Sequence, residues 1–275
     1  MLFSIIIPTY NRPDLLSKCL DCLKVYFDVS GIERAFKVEV IVTDDAGDSP
    51  AACQIRQAYP FICWVEGPGR GPAANRNFGA SHSSGDCLVF LDDDCLPQQG
   101  WLEAYHSEFQ KGSVLEGKVT AGREQERYDE ESPQNETGGY LWSCNFAIDR
   151  SVFEQLRGFD ESYIYAAMED VDFFERLKKS GQVVDFLPNA LVIHPWRIVS
   201  GVNMLKRRLM SHDIFWKKHP DLAPNHRFFY FAKTWARSFI KVTIFHLIRY
   251  RGQGILYRLS NDAYWASWAL KQIWR

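Results

Sequence analysis

The stretch Phe90-Leu91-Asp92-Asp93-Asp94-Cys95 places three consecutive carboxylates directly after an apolar run that begins at Cys87. The run lies between Gly85 and Pro97, a pattern that predicts a short buried strand. The carboxylates then fall at the carboxyl end of that strand, where open α/β sheets bind their ligands. Three adjacent anions repel one another unless a cation joins them, and Mg²⁺ commonly bridges one or two carboxylates to substrate phosphates. The stretch therefore predicts a site for a divalent metal and a diphosphate.

Strand and helix patterns alternate on the amino-terminal side of this stretch. Strands are predicted over residues 3–9, 38–43, 61–65 and 88–91. Helices are predicted over residues 13–27, 51–59 and 73–83. This alternation predicts an α/β fold in which a mostly parallel central sheet is flanked by helices on both faces.

Beyond Pro97 the alternation is looser. Helices are predicted over residues 101–110 and 169–180, and strands over 113–120, 140–148, 183–186 and 190–194. The polar segment 123–139 is rich in acidic residues and is predicted to be a mobile loop.

Polar residues also end two other predicted strands. The first strand ends in Pro8-Thr9-Tyr10-Asn11-Arg12, and the second ends in Asp44-Asp45. Because the carboxyl ends of parallel strands meet at one edge of a sheet, we expect these side chains to lie near Asp92–Asp94. One pair of carboxylates after a strand is commonly a solvated turn, but two such ends beside a polar first loop favour a functional site. Gly67–Gly71 resembles a phosphate loop but lacks the spacing of a dinucleotide-binding fingerprint.

The charge of the chain is divided unevenly. Residues 201–275 contain fourteen Lys and Arg but three Asp and Glu, so this tail carries +11 while residues 1–200 carry −13. Its helical patterns, 204–217, 228–249 and 255–274, place aromatic residues beside basic ones, which is typical of peripheral membrane binding. Two other interpretations stay open: the aromatic residues pack on the acidic core, or they pack on a partner helix or second copy.

Several other classes of protein are disfavoured. The seven cysteines are odd in number and lack zinc-site spacing, which favours buried thiols in a reducing cytosol. The sequence contains no run of 18 apolar residues, so no transmembrane helix is predicted. The apolar segment 1–8 is too short for a signal peptide. No recognised motif supports nucleic-acid binding, and the acidic core would repel a polyanion.

Five segments together resemble the motifs of the family 2 glycosyltransferases in their order and spacing. They are Ser4–Arg12, Val40–Asp45, Ala74–Ala80, Phe90–Asp94, and Gly158–Glu161 followed by Glu169–Asp172. The resemblance covers residues 3–195. It implies the GT-A fold, a nucleotide-sugar donor, a divalent ion (Mn²⁺ or Mg²⁺) and transfer with inversion at the anomeric carbon.

The resemblance also implies which residues hold the donor. Pro8, Thr9, Tyr10 and Arg12 would bind the nucleotide base. Asp45 would accept a hydrogen bond from the imide N–H of uracil or thymine, which favours a UDP- or dTDP-sugar. Arg76 would bind the donor diphosphate or Asp92 and Asp94, where its planar fork is well suited. Asp92 or Asp93 would meet the ribose or a metal-bound water.

The remaining implied roles concern the metal, the base and the acceptor. Asp94 would ligate the metal, and His194 would complete its shell. Asp170 would be the general base that deprotonates the acceptor hydroxyl, with Glu169 contacting the acceptor. Trp142 and Asn145 would shape the pocket for the acceptor and the donor sugar.

Each of the main assignments has a plainer alternative. Asp45 fits a turn before Gly47, and Arg76 fits a solvated helix face. Asp170 fits the acidic first turn of a helix, which attracts carboxylates without any catalytic role. A single histidine such as His194 is more often structural than a ligand.

We therefore predict a catalytic GT-A domain over residues 1–200, with a nucleotide-binding half (1–97) and an acceptor half (98–200), and a C-terminal helical extension over 201–275. The acceptor would be a glycan or lipid-linked hydroxyl in bacterial surface-polysaccharide synthesis. The protein would be cytoplasmic and peripheral on the inner face of the membrane. The donor sugar, the choice of base, Mn²⁺ against Mg²⁺ and the oligomeric state are left open.

Two rival functions remain. A nucleotidyltransferase of similar architecture would need a basic signature loop after the first strand, which Pro8-Thr9-Tyr10-Asn11-Arg12 does not supply. A non-catalytic nucleotide-sugar-binding relative would not need both Asp94 and Asp170, and both are present.

Overall fold

The computed structural model describes residues 1–27, 35–47, 49–199, 201–223, 233, 245 and 247–273. The chain groups into two compact units, one of Met1–Gly122 with Pro133–Pro195 and the other of Arg123–Ser132 with Trp196–Arg275. Residues 123–132 therefore group with the C-terminal unit. The domain boundaries drawn from the sequence, 1–200 and 201–275, stay a prediction.

The secondary structure follows the alternation expected from the sequence. The strands are β1 (Leu2–Thr9), β2 (Lys37–Asp44), β3 (Ile62–Glu66), β4 (Cys87–Leu91), β5 (Leu96–Pro97), β6 (Val114–Thr120), β7 (Glu130–Glu131), β8 (Asn145–Asp149), β9 (Asp185–Ile193) and β10 (Arg197–Ile198). The helices are α1 (Pro13–Leu23), α2 (Pro50–Ala58), α3 (Pro72–Ser81), α4 (Trp101–Glu108), α5 (Arg150–Gln155), α6 (Glu169–Lys179), α7 (Val202–Lys218) and α8 (Ile255–Ile273).

The first unit is built on one sheet, whose described strands lie in the order β3-β2-β1-β4-β8-β6-β9-β5. The pairs among β1 to β4 are parallel, whereas β8 runs antiparallel to both β4 and β6. β9 is parallel to β6, and β5 is antiparallel to β9. The predicted α/β class and the mostly parallel amino-terminal half are confirmed.

Alternating side chains of the central strands supply two cores, one on each face of the sheet. In β1, Ile5 and Ile7 pack in one cluster with residues of α1, α2 and α4. Ile6 points to the other face and packs with residues of α3, α5 and α6. Successive side chains of a strand point to opposite faces, so a strand that is covered on both sides is a continuous apolar run. This explains why β1 and β4 are readily predicted from sequence.

The predicted strand over 140–148 begins only at Asn145, because the preceding backbone is bound elsewhere. The carboxylate of Glu116, a buried residue of β6, accepts the backbone N–H groups of Gly139 (2.7 Å) and Tyr140 (2.8 Å), and also that of Leu141. Backbone N–H groups that donate hydrogen bonds to a side chain are not available to pair with a neighbouring strand.

Two further expectations differ from the structure. The short strands predicted over 183–186 and 190–194 form the single strand β9, whose pairing with β6 shifts register between Gly117 and Lys118. The loop predicted over 123–139 contains β7, which pairs with β10. All seven cysteines, each in the described part of the chain, are free thiols.

The second unit has a core of its own. Leu209 of α7 and Trp268 of α8 are buried against one another, with Trp216, Tyr264 and Trp265 packed around them. Some of the tail aromatic residues are therefore core residues. The predicted helix over 228–249 lies outside the described residues, except for 233, 245 and 247–249. Among the described residues, no helix is both long and apolar enough to cross a membrane.

Candidate active site

The pairing of β5 with β9 brings the end of β4 beside the end of β9. Leu96 pairs with Ile193, so Asp94 and His194, which lie just outside this pair, come together. Oδ1 of Asp94 is 3.3 Å from Nε2 of His194, and Nδ1 of His194 is 3.2 Å from the carbonyl oxygen of Pro195. A carbonyl oxygen only accepts, so that contact requires a proton on Nδ1. In the neutral ring, Nε2 and Oδ1 are then two acceptors that face each other, and a cation would satisfy both.

The chemistry of these side chains fits a divalent metal. Asp94, Cys95 and His194 are all buried, and each offers a ligand atom within 4.8 Å of the others. Burial raises the pKa of the Cys95 thiol well above its usual range, and a soft sulfur ligand suits Mn²⁺ and Mg²⁺ less well than oxygen or imidazole nitrogen. One carboxylate oxygen and one imidazole nitrogen remain. That donor set suits Mn²⁺ or Mg²⁺ with substrate oxygens as further ligands, and an imidazole favours Mn²⁺ of the two.

Asp93 points away from this pair and ties β4 to the end of β1. Its Oδ2 accepts hydrogen bonds from Oγ1 of Thr9 (2.6 Å) and Nε of Arg12 (3.0 Å). A terminal nitrogen of Arg12 also donates to Asp94 at 3.1 Å. Burial raises the pKa of Asp93 to about 7, although Arg12 and Thr9 act in the opposite direction. Thr9 and Arg12, expected at the nucleotide base, are therefore engaged with the carboxylates of β4.

Asp92 faces a third direction, toward a buried arginine. Its Oδ1 accepts a hydrogen bond from Arg76 at 2.7 Å, and a second terminal nitrogen of Arg76 donates to Glu169 at 3.1 Å. Burial acts against ionisation of Asp92, but Arg76 outweighs it and the pKa of Asp92 is lowered. Burial raises the pKa of Glu169 to about 7, with the charge of Asp170 adding to the effect and Arg76 opposing it. The plainer alternative of a solvated Arg76 is wrong, because its side chain is 4% exposed, whereas the contact with Asp92 agrees with one of its two predicted roles.

Asp170 lies in the first turn of α6, next to Glu169. Its carboxylate accepts the backbone N–H of Val171 at 2.8 Å and that of Ser143. Burial raises the pKa of Asp170, while Arg76 acts to lower it. Met168, which precedes the helix, has φ +71°, a left-handed conformation that is uncommon for a residue other than glycine. The base expected from the sequence is thus partly buried and held by two backbone donors.

The carboxylates at the end of β2 contact neutral backbone donors. Oδ1 of Asp44 accepts the N–H of Ala46 at 2.9 Å, which forms a turn. The two oxygens of Asp45 accept the N–H groups of Gly69 and Gly71, each at 3.0 Å. Asp45 therefore anchors the glycine segment Gly67–Gly71. Each oxygen retains a further lone pair, so base recognition by Asp45 stays a prediction.

The other residues predicted at the site divide into three groups. Tyr10 is 66% exposed at the end of β1, whereas Pro8 is buried within the strand. Trp142 is half-buried and stacks on Tyr140, with ring centroids 5.4 Å apart. Asn145 is buried, and among the described residues its amide is hydrogen-bonded to four core groups, so its place in the pocket stays a prediction. Its partners are Trp101 and Tyr105 as donors and the carbonyl oxygens of Lys118 and Ala190 as acceptors.

Sequence reasoning missed two asparagines of α3 that hold the site together. Nδ2 of Asn75 donates to the carbonyl oxygen of Thr43 at 2.9 Å, so it fixes the helix to the end of β2. Asn77 exchanges two hydrogen bonds of 2.8 Å with the backbone of Phe159. A Cβ at Gly158 would lie 2.4 Å from Oδ1 of Asn77, which explains why glycine occupies that position. In the sequence, the one indication of these roles is that the two asparagines flank Arg76.

Comparison with known proteins identifies the family. The family model described as Glycosyl transferase family 2 matches residues 4–160, which is more than half of the chain. The chain belongs to this family. The glycosyltransferase AglE of Haloferax volcanii is 30% identical over 210 residues, which cover 70% of this chain and 67% of AglE. This family 2 protein is therefore a glycosyltransferase, as the motifs implied.

Two solved structures share the fold of this family 2 glycosyltransferase at low identity. A fragment of S. aureus TarS, residues 1–349, in complex with UDP-GlcNAc matches with a TM-score of 0.56 and 18% identity over 78% of this chain and 67% of the fragment. Mannosyltransferase PcManGT from Pyrobaculum calidifontis, in complex with GDP-Man and Mn²⁺, has a TM-score of 0.56 and 16% identity. That match covers 99% of this chain and 87% of PcManGT. The predicted GT-A fold is confirmed.

Proposed function

We propose that this glycosyltransferase moves a sugar from a nucleoside-diphosphate donor to an acceptor hydroxyl, with a divalent metal and with inversion. The observation that carries the proposal is the pairing of Asp94 with His194 at 3.3 Å beside the Asp92–Arg76–Glu169 group and the adjacent Asp170. These residues bring a metal-binding pair and a candidate base to the carboxyl edge of one sheet, where α/β proteins bind ligands.

In this proposal Asp94 and His194 hold the metal. A bound divalent ion would supply a Lewis acid that neutralises the charge on the departing diphosphate. Arg12, which already contacts Asp93 and Asp94, would hold those carboxylates in register with β1. Metal dependence is supported by the Mn²⁺ in PcManGT, a protein of the same fold.

Asp170 would act as the general base. Its carboxylate takes the proton of the acceptor hydroxyl while the acceptor oxygen bonds to the anomeric carbon and the bond from that carbon to the diphosphate oxygen breaks. One such displacement inverts the configuration at the carbon. The backbone N–H groups of Val171 and Ser143 orient the carboxylate and favour its ionised form. Because burial raises the pKa of Asp170, the turnover rate should rise with pH as this group ionises.

The donor base would lie between Tyr10 and the Asp45 region. Tyr10 offers an exposed ring for stacking, and Asp45 offers acceptor oxygens at the end of β2. A carboxylate suits the imide N–H of uracil or thymine, which supports a UDP- or dTDP-sugar. TarS was solved with UDP-GlcNAc and PcManGT with GDP-Man, so a guanine donor belongs in the same experiment.

The decisive experiment combines donor screening with two variants. The melting temperature of the purified protein is measured with UDP-, dTDP- and GDP-sugars, each with and without Mn²⁺. The donor that raises the melting temperature most is then used in a transfer assay. We expect metal-dependent release of the nucleoside diphosphate and a product whose anomeric configuration, read by NMR, is inverted. Asp94→Ala and Asp170→Asn should each abolish release. Activity that survives both changes would refute the assigned roles, and donor binding without turnover would favour the non-catalytic relative.

We also propose a lipid-linked or glycan acceptor at an anionic membrane surface, as in bacterial surface-polysaccharide synthesis. The support is the +11 charge of residues 201–275, together with exposed basic residues in α7 and exposed apolar residues such as Ile248 (78%) and Leu256 (77%). Co-sedimentation with vesicles of neutral lipid, with and without phosphatidylglycerol, tests this. Binding should require the anionic lipid and weaken with salt. Equal binding to both vesicles, or none, contradicts it.

A further inference from the structure

Arg76 is a buried cation whose terminal nitrogens are both committed to protein carboxylates. Nη2 donates to Asp92 at 2.7 Å, and Nη1 donates to Glu169 at 3.1 Å. The guanidinium carbon also lies 5.7 Å from the ring centroid of Phe159. The side chain thus joins the carboxyl end of β4 to the first residue of α6. Because it is 4% exposed, it offers little surface to a donor.

Glu169 is equally enclosed. The residue is 3% exposed, and its second oxygen, Oε2, has no hydrogen-bond partner among the described residues. A buried carboxylate with one oxygen unsatisfied depends strongly on its remaining ion pair. Glu169 is bonded through the backbone to Asp170, so the position that Arg76 imposes on Glu169 is passed directly to Asp170.

We infer that Arg76 and Glu169 are positioning residues, which set the place of the base Asp170 relative to the donor-binding end of β4. This inference rests on the proposed function, in which Asp170 is the base. Of the two roles implied for Arg76, it keeps the contact with Asp92 and replaces the contact with the diphosphate, and it replaces the contact of Glu169 with the acceptor. The geometry explains why arginine is needed, since a planar fork binds two fixed carboxylates whereas lysine is a single point charge.

The first measurement separates positioning from donor binding. Displacing a base by about 1 Å can reduce turnover by about 10²-fold. We therefore expect Glu169→Gln and Arg76→Lys each to reduce kcat by roughly 10- to 100-fold. The donor KM, and the affinity for the nucleoside diphosphate with Mn²⁺ measured by calorimetry, should change by less than about threefold. A tenfold loss of diphosphate affinity in Arg76→Lys with kcat unchanged would instead place Arg76 on the donor.

Asp172 provides a matched control on the same helix. It is also a buried carboxylate in the first turn of α6 and is paired with an arginine, Arg176, at 2.8 Å. Asp172→Asn should lower the melting temperature about as much as Glu169→Gln but leave kcat within about threefold. If both variants lose kcat equally, the effect is general loss of helix stability and the inference is wrong.

Double variants test whether the residues act through Asp170. Arg76→Lys with Glu169→Gln should be no slower than the slower single variant, since both break one bridge. Adding Glu169→Gln to Asp170→Asn should cause no further loss of kcat. Additive losses in either pair overturn the inference. Should Arg76→Lys not fold, the three variants at Glu169, Asp170 and Asp172 decide the question alone.

The activity of the single variant Asp170→Asn distinguishes a failure of the proposed function from a failure of the positioning role. Full activity of Asp170→Asn refutes the base assignment and therefore the proposed function. Loss of activity in Asp170→Asn with normal kcat in Glu169→Gln leaves the proposed function standing and refutes only the positioning role.

Discussion

The ends of β2 and β4 are alike in sequence, because each has adjacent aspartates, but the carboxylates at the two ends have different partners. Asp44 and Asp45 accept hydrogen bonds from the backbone N–H groups of Ala46, Gly69 and Gly71. The carboxylates after β4 contact side chains instead, which apart from the Thr9 hydroxyl are charged or ionisable. The charged or ionisable side chains are Arg12, Arg76 and His194.

This difference separates carboxylates that build turns from carboxylates that can exchange partners. A backbone N–H is fixed by the fold, so the two aspartates at the end of β2 hold the local backbone in place. A carboxylate beside a cation in a low-dielectric site interacts strongly with nearby charges. The binding of a metal ion or a phosphate therefore changes the electrostatic energy of that carboxylate. The end of β4 should therefore govern chemistry, and the end of β2 should govern the shape of the donor pocket.

The largest effect is expected at Asp94. Asp94→Asn removes one negative charge from the predicted metal pair, and we expect kcat to fall by about 10³-fold or more, with Mn²⁺ binding lost in calorimetry. Asp44→Asn is the matched control, because its amide oxygen still accepts the N–H of Ala46. Its kcat should stay within about threefold. An equal loss of kcat in the two variants would contradict the proposal that the end of β4, and not that of β2, governs the chemistry.

A smaller effect is expected from filling the space at Gly67. A Cβ there would lie 2.3 Å from Oδ1 of Asp45 and 2.5 Å from Oδ1 of Asn75. Gly67→Ala should displace Asp45, raise the donor KM severalfold and lower the free energy of unfolding by about 3 kcal/mol, as overpacking does. kcat should change little.

Gly69→Ala is the control for this variant. None of the described residues lies within 4 Å of a Cβ added there, so only its φ of +66° opposes alanine. We expect a loss of about 1 kcal/mol in the free energy of unfolding and an unchanged KM. A KM that rises equally in both variants would show that the loop, rather than Asp45, shapes the pocket.

The next effect concerns Thr9, the last residue of β1, whose hydroxyl donates a hydrogen bond to Asp93 at the end of β4. Thr9→Val removes the 2.6 Å hydrogen bond to a buried carboxylate, so the free energy of unfolding should fall by about 2 kcal/mol in chemical denaturation. Thr43→Val is the counterpart on β2 and loses a 3.3 Å bond to the carbonyl oxygen of Asn75. That variant should lose about 1 kcal/mol or less. The reverse ranking would contradict the stronger coupling assigned to β4.

The smallest effect is expected at the opposite edge of the sheet. Burial acts against ionisation of Glu39, but hydrogen bonds from Ser4, Ser84 and Gly85 outweigh it, so its pKa is lowered. A lowered pKa stabilises the fold above the unfolded value and loses that effect as pH falls through the folded value. Glu39→Gln should therefore lower the melting temperature by about 2 °C at pH 7, with a difference that shrinks below about pH 4. A change in KM would contradict a purely structural role.

The sequence predicted those parts of the fold in which local pattern and burial agree. β1, β2 and β4 are apolar runs covered on both faces, and their predicted bounds differ from the observed ones by one residue. α6 was predicted from its acidic start and the glycine after its end. The strand ends that carry Thr9, Asp45 and Asp94 are therefore correctly predicted to lie at one edge of the sheet.

The parts that were not predicted depend on partners far away in the chain. Glu116 is bound by residues 19 to 25 positions later, and its apolar neighbours in β6 conceal it. Asn145 lies three residues after Trp142 and is predicted in the same pocket, but four partners from three other segments enclose its side chain. The pairing of β7 with β10 joins residues more than 60 positions apart. Neither periodicity nor composition records such contacts.

The pairing of β5 with β9 also bears on the order in which the protein matures. Leu96 is synthesised soon after Asp94, but its partner Ile193 and the neighbouring His194 follow about a hundred residues later. Non-local pairings form late, because the intervening chain must first be closed into a loop. On the ribosome, the first four strands can associate while Asp94 still lacks its histidine. A nascent chain should therefore form the parallel strands β1 to β4 before it acquires the metal affinity proposed for Asp94 and His194.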